Sequence, residues 1–199
     1  FKKVYNQFHY VVVGSEKMAN IFKQSFGVSN EQMVRSGIPR TDFFFDSVAM
    51  EEVKNSLRKK YPVIRKKKVL LYAPTYRDDE LNVTQLALNL DQMYEELKDE
   101  YVLLLRLHPA VNVKLLNRLP DFIIDVSNYV DVNHLLVTTD ILITDYSSLP
   151  FEFSLLKKPM IFFAYDLEDY IKKRGFWESY EKLVPGPIVT NTDELIEVI

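Results

Sequence analysis

The sequence predicts an α/β fold, a parallel sheet with helices on both faces. Two observations carry this. Short runs rich in Val, Ile and Leu alternate with segments of helical periodicity along nearly the whole chain. The polar clusters fall at the carboxyl ends of those runs, where open parallel sheets bind ligands: Thr75 and Arg77, Arg106 and His108, Ser127, and Ser147 with Ser148. The 199 residues suffice for one such domain spanning 1–199, and no repeat, low-complexity segment or linker marks a second.

Taken in order, residues 8–13 read as a strand stopped by Gly14, with His9 inside it as a core residue. Ser15 caps a helix over 16–26, in which Met18, Ile21, Phe22 and Phe26 share a face, and Gly27 closes it. A short strand at 33–35 ends in Ser36-Gly37-Ile38-Pro39-Arg40, and a charged helix covers 48–60. The basic run 65–68 is a solvated entry to a buried strand at 69–73. A loop through Arg77 leads to an irregular acidic stretch, 78–86. Then come a helix at 91–100, a strand at 101–107, a short helix at 113–118 and a strand at 122–125. Asp131 caps a helix over 132–137 that carries His134 as a packing or surface residue. A strand at 141–143, a helix at 150–156, a strand at 159–163 and a helix at 166–173 follow. Thr192 caps a last helix.

Composition excludes several function classes. A net charge of −3 gives no whole-chain case for binding nucleic acid. The absence of cysteine rules out disulfides and thiolate metal sites. No apolar run approaches the roughly 20 residues that span a bilayer, and no secretory leader is visible. The chain does not begin with Met, so it reads as a fragment of a longer protein.

The richest stretch is Thr144-Asp145-Tyr146-Ser147-Ser148, between an apolar strand and a helix with Pro150 in its first turn. Ser147 or Ser148 is the natural N-cap. A helix start at the end of a strand offers free N–H groups and a positive dipole end, which suit phosphate. Glu152 lies within the first turns, within reach of a ribose hydroxyl or simply exposed. Neither a P-loop nor a dinucleotide glycine fingerprint is present. Arg77 and Arg106, at two strand tips, can clamp phosphate. His108 beside them can give a hydrogen bond or proton to a leaving oxygen. No histidine pair has metal spacing, so no metal site is assigned. Asp78, Asp79 and Glu80 read as a solvated loop rather than an ion site, and Trp177 as either a sugar platform or a core plug.

The motifs combine into a pattern. Leu71-Tyr72-Ala73-Pro74-Thr75-Tyr76-Arg77-Asp78, Leu105-Arg106-Leu107-His108-Pro109, the serine corner with Phe151-Glu152-Phe153, Lys158-Pro159, and Tyr170 through Arg174-Gly175-Phe176 occur in that order. Ser36-Gly37-Ile38-Pro39-Arg40-Thr41-Asp42 precedes them. The chain resembles the CDP-glycerol glycerophosphotransferases, the teichoic acid polymerases and primases of Gram-positive bacteria, over nearly its whole length.

The resemblance implies a GT-B enzyme of two Rossmann-like halves. This chain is then most of the C-terminal, nucleotide-binding half. The family's Trp-His-Gly segment, whose His acts as general base, belongs before residue 1, so the fragment alone binds donor without turnover. No cofactor is implied; the donor substrate is CDP-glycerol or a similar CDP-alditol. The acceptor is a polyol-phosphate or lipid-linked chain, and the parent is a peripheral enzyme at the cytoplasmic face of the membrane, attached through regions outside this chain. The serine corner (Tyr146, Ser147, Ser148) holds the pyrophosphate. Arg77, Arg106 and His108 neutralise its charge, Thr75 bonds a phosphate oxygen, and Glu152, where many members carry Asp, binds the ribose. Ser127 and the backbone up to Val130 meet the cytosine. Two other readings stand beside this one: a GT-B transferase or epimerase using a UDP-sugar, and a non-catalytic nucleotide-binding module.

Overall fold

The structure, a computed structural model, describes residues 2–77, 86–108, 119 and 121–199. The expected helix at 113–118 and the acids Asp78, Asp79 and Glu80 lie outside the described residues. The chain groups into two compact units, Phe1–Ser47 and Val48–Ile199, where the sequence reading drew one domain.

The first unit holds helix α1 (Lys2–Tyr5), strand β1 (Val11–Val12), helix α2 (Glu16–Phe26) and strand β2 (Met33–Val34). The two strands pair in parallel as a sheet of their own. Helix α2 forms as its sequence predicts. The Ser15 side chain accepts the Met18 N–H at 3.1 Å, and Gly27 ends the helix in the left-handed region at φ 73°. Its apolar face, Met18, Ala19, Phe22 and Phe26, packs with Val13, Val28 and Met33, and Tyr5 stacks on Phe26 at 4.4 Å. His9 is exposed and lies before the strand. The core role expected for it fails because only Val11 and Val12 of the apolar run find a pairing partner.

The second unit carries helix α3, which begins at its boundary (Ser47–Lys60), and a six-stranded parallel sheet. Its strands are β3 (Lys68–Tyr72), β4 (Tyr101–Leu105), β5 (Ile123–Asp125), β6 (Ile141–Thr144), β7 (Met160–Phe163) and β8 (Ile188–Val189). Their spatial order is β5-β4-β3-β6-β7-β8. Counted within this unit the order is 3-2-1-4-5-6, that of the doubly wound dinucleotide folds. The expected Rossmann-like sheet is therefore present.

The central strands are buried on both faces, which explains why they read as continuous apolar runs rather than alternating ones. On one face, Leu70, Tyr72, Leu103, Leu105, Ile143, Ile161 and Phe163 pack with Met93 and Leu97 of helix α4 (Leu90–Leu97) and Leu195 of helix α9 (Thr192–Val198). Helices α5 (Val132–Thr138) and α6 (Leu149–Phe153) contact β3 and β6. Their buried Leu135, Leu136 and Phe153 lie outside that cluster. Each fully buried aliphatic or aromatic side chain stabilises by about 1.5–3 kcal/mol.

Short elements that escape the sequence reading include helix α1, helix α8 (Tyr180–Leu183) and the edge strand β8. Strand β8 follows Pro185-Gly186-Pro187, which looks like a loop. Gly186 is required there, since a Cβ would stand 2.1 Å from the Met160 carbonyl oxygen. Thr192 is not the last helix's cap. Asn191 is, its side chain accepting the Glu194 N–H at 2.9 Å; Thr192 opens the helix and accepts from the Asn89 N–H instead.

The sheet turns direction between β3 and β6. The chain leaves β3 to one side for β4 and β5, then returns to the other side of β3 for β6. The loops leaving the two strands therefore diverge, opening a crevice at their carboxyl ends.

Candidate functional site

Asp145 is the hub of that crevice. It follows β6 directly and is 2% exposed. Its Oδ1 accepts the Thr75 N–H at 2.8 Å and its own neighbour Tyr146 N–H at 2.6 Å. Its Oδ2 accepts Arg77 Nη1 at 2.8 Å, and its carbonyl accepts the Tyr180 hydroxyl at 2.9 Å. Thr144 donates to the Ala73 carbonyl at 2.7 Å. One carboxylate thus ties the β3 loop to the β6 loop across the point where the sheet reverses.

Arg77 answers it. Nε and Nη2 form a two-pronged pair with Asp166, each at 2.8 Å, and Nη1 also donates to the Thr75 carbonyl at 2.5 Å. Its guanidinium lies 5.3 Å from the Tyr146 ring centroid and 4.9 Å from that of Tyr165. Burial opposes the charge on Arg77, but the hydrogen bonds to Asp166 and the charge of Asp145 outweigh it, and its pKa is raised. Burial likewise works to raise the pKa of Asp166, but hydrogen bonds from Arg77 and Tyr146 prevail and lower it. The Tyr146 hydroxyl donates to Asp166 Oδ1 at 2.9 Å. Burial, then that hydrogen bond, raise its pKa, so it stays protonated.

Arg106, at the tip of β4, is held differently. Nη1 donates to the Tyr129 carbonyl at 2.6 Å, and its pKa is lowered by burial, with Asp131 pulling the other way. The Ser127 hydroxyl accepts the Leu107 N–H at 3.0 Å, fixing the β4 and β5 tips to each other. His108 is exposed, and its ring centroid lies 4.3 Å from that of Tyr76.

At the serine corner, Ser147 Oγ accepts the Leu149 N–H at 3.1 Å. Ser148 occupies the cap position of the five-residue helix α6 without a side-chain capping bond, and it is exposed. Glu152 is 1% exposed, so the simple surface reading fails: the helix turns it under the corner.

These side chains line three clefts. One of ≈ 320 Å³ takes in Arg106, His108, Ser127 and Ser147 with Tyr76. A second of ≈ 490 Å³ takes in Thr75, Tyr76 and Arg77 with Asp166, Asp169, Tyr170, Lys173 and Arg174. A third of ≈ 270 Å³, mostly apolar, includes Tyr146 and Ser147 beside Phe176 and Tyr180. Tyr76 borders the first two, and Glu152 lines none of the three. Among the described residues no three His, Cys, Asp or Glu side chains gather as they would around a metal ion. No described helix is long and apolar enough to cross a membrane.

The family model for CDP-glycerol:poly(glycerophosphate) glycerophosphotransferases matches residues 1–199. The chain belongs to this family. A teichoic acid glycerol-phosphate primase of Bacillus subtilis (strain 168) is 44% identical over 200 residues, covering 100% of this chain and 51% of the primase. A teichoic acid poly(ribitol-phosphate) polymerase of Bacillus spizizenii is 43% identical over 194 residues, covering 95% of this chain and 31% of the polymerase. The wall teichoic acid polymerase TagF, as a histidine-to-asparagine variant soaked with CDPG, superposes with a TM-score of 0.89 at 38% identity, covering 98% of this chain and 49% of the chain in that structure. A UDP-GlcNAc 2-epimerase from Neisseria meningitidis shares the fold, with a TM-score of 0.59 at 16% identity, over 96% of this chain and 51% of the epimerase. The chain spans from about a third to about half of the length of these relatives.

In this member of the glycerophosphotransferase family, the sequence reading of the site misses Asp145 and Asp166. Asp145 falls inside the serine-corner motif and Asp166 at the start of an expected helix, but partners 68 and 70 residues away for Asp145, and 20 and 89 for Asp166, leave no local trace. The clustering of Tyr146, Tyr170, Phe176 and Tyr180 is likewise tertiary. Tyr146 stacks on Tyr170 at 3.8 Å. Gly175, at φ 72°, follows helix α7 (Leu167–Lys173), and Phe176 beyond it meets Tyr146 at 5.7 Å. Trp177 is exposed, which removes the core-plug reading.

Proposed function

We propose that this chain is the donor-binding part of a transferase. It moves glycerol phosphate, or a related alditol phosphate, from a CDP-activated donor to a hydroxyl of a teichoic-acid-type or capsular polymer. The observation that carries this is the family match along 1–199, with Thr75–Arg77, Arg106–His108, Ser147 and Tyr170 with Arg174 from the family's motifs lining clefts at the carboxyl edge of the sheet. In the reaction the acceptor oxygen attacks the distal phosphorus of the donor. The bond from that phosphorus to the bridging oxygen breaks, and CMP leaves with it. Phosphoryl transfer asks for positioning and charge stabilisation above all.

The cleft of Arg106, His108, Ser127 and Ser147 takes the nucleotide end of the donor. Arg106 and His108 meet the charge that grows on the departing CMP phosphate. Ser147 and Ser148 hold the pyrophosphate, and Ser127 borders the base. Thr75, whose hydroxyl is buried with no hydrogen-bond partner among the described residues, donates to the transferred phosphate. Arg77 contributes through Asp145 and Asp166, which occupy most of its donors. The parent works at the cytoplasmic face of the membrane as a peripheral enzyme.

Calorimetric titration with CMP, CDP-glycerol and a UDP-sugar tests the reading. Cytidine ligands bind and the UDP-sugar does not. A preference for the UDP-sugar makes the chain an epimerase-like or glycosyltransferase domain. No binding of any nucleotide makes it a non-catalytic module.

A further inference from the structure

The two larger clefts share one wall, Tyr76. Among the described residues it alone belongs to the linings of both the Arg106–His108 cleft and the Thr75–Arg77 cleft. Strands β3 and β4 run side by side with Tyr72 opposite Leu105. Tyr76 and His108 therefore leave adjacent strands, at nearly equal distances beyond that pair. Both tips are anchored. The Thr75 N–H donates to Asp145 Oδ1 at 2.8 Å, the Arg106 N–H to the Tyr72 carbonyl at 2.9 Å and the Leu107 N–H to Ser127 Oγ at 3.0 Å. Each ring thus follows directly on a held residue. The two meet with centroids 4.3 Å apart and planes tilted by 36°. Tyr76 is half-buried and His108 exposed. An exposed imidazole that rotates freely loses side-chain entropy when it meets a ligand. A ring packed against it removes part of that freedom in advance.

We propose that Tyr76 is a positioning residue for His108. Its ring orients the imidazole in the cleft that it shares with Arg106, Ser127 and Ser147, so that His108 meets the departing CMP phosphate already placed. Tyr76 works through its aromatic face and not its hydroxyl, and through His108 rather than on the donor. The inference rests on the transferase reading, in which His108 faces the leaving group.

The test is a double-mutant cycle read by CMP calorimetry on the chain: the natural sequence, Y76L, H108A and Y76L/H108A, with Y76F beside them. The His108 ring protons are followed by NMR in the same samples. Y76L is expected to weaken CMP by roughly fivefold, the scale of one aromatic pair, and to cost less than about twofold once His108 is already alanine. Y76F, which keeps the ring, stays within about twofold of the natural chain. In the natural chain the two rings give NMR cross-peaks, and in Y76L the His108 protons lose the displacement that the tyrosine ring current imposes. Equal weakening by Y76L in both backgrounds overturns the inference, since Tyr76 then touches the ligand itself. Unchanged CMP affinity in Y76L or in H108A overturns it too, as does a Y76F as weak as Y76L. Missing cross-peaks in the natural chain overturn it without any variant. If CMP does not bind at all, the transferase reading falls and NMR alone decides the positioning. His108 resonances unmoved in Y76L then overturn it, and resonances displaced in Y76L but not in Y76F sustain it.

Discussion

Arg77 and Arg106 look alike in the sequence, each an arginine just past an apolar strand, yet the structure treats them as opposites. Arg77 has a 10% exposed side chain and spends Nε, Nη1 and Nη2 on two carboxylates and a carbonyl. Arg106 gives Nη1 to a single carbonyl and borders a cleft. Their pKa values move in opposite directions for the same reason. Burial opposes both charges, and only Arg77 has partners that overcome it. An arginine matched by buried carboxylates builds a site. An arginine desolvated beside an open cleft has donors left for a ligand.

The contrast breaks most sharply at Asp145. In D145A the Arg77 charge and the Thr75 and Tyr146 N–H groups lose their buried acceptor, and urea unfolding should show a loss of about 3–5 kcal/mol. A loss below about 1 kcal/mol places the pair among ordinary surface contacts. Next is Arg77 itself. R77K cannot reproduce the two-pronged pair with Asp166 and should lose roughly 2–3 kcal/mol by the same measurement.

The acid side sharpens the picture. The Asp166 carboxyl lies below its ordinary value of 3.8 when folded. Its contribution is therefore complete above the unfolded pKa and is lost as pH falls through the folded one. The stability gap between the natural chain and D166N should be flat above about pH 5 and narrow below about pH 4. A gap that widens on acidification means that Asp166 is not held by Arg77. The smallest effect belongs to His108. Exposed beside Tyr76, it should change stability by no more than about 0.5 kcal/mol in H108A, while donor affinity falls.

How far the sequence reveals all this depends on how local each cause is. The ends of helix α2 are legible to the residue, because Ser15 and Gly27 act within one element, and its packed face is legible apart from Ala19, which takes the place expected for Ile21. The buried strands are legible because burial on both faces forces long apolar runs. Strand β8 is not, since two residues after a Pro-Gly-Pro turn carry no period. The acceptor at Asn191 shows the limit of cap reading: two adjacent polar residues both qualify, and only the geometry decides. In the site, the strand-tip rule finds Thr75, Arg77, Arg106, His108, Ser127 and Ser147, which all line a cleft at the sheet's carboxyl edge. It cannot tell a clamp from a brace. That distinction lies in Asp145 and Asp166, brought to Arg77 across 68 and 89 residues of chain.

The direct test sets the two arginines side by side: R77K and R106K, each measured for its unfolding midpoint and, at a temperature where both are folded, for CMP affinity. The account predicts that R77K unfolds early and binds CMP nearly as the natural chain does. R106K should keep its midpoint to within about 1 kcal/mol and lose CMP affinity by roughly tenfold or more. If instead R77K keeps its stability and loses CMP, Arg77 is a ligand-binding residue and the division between brace and clamp is wrong.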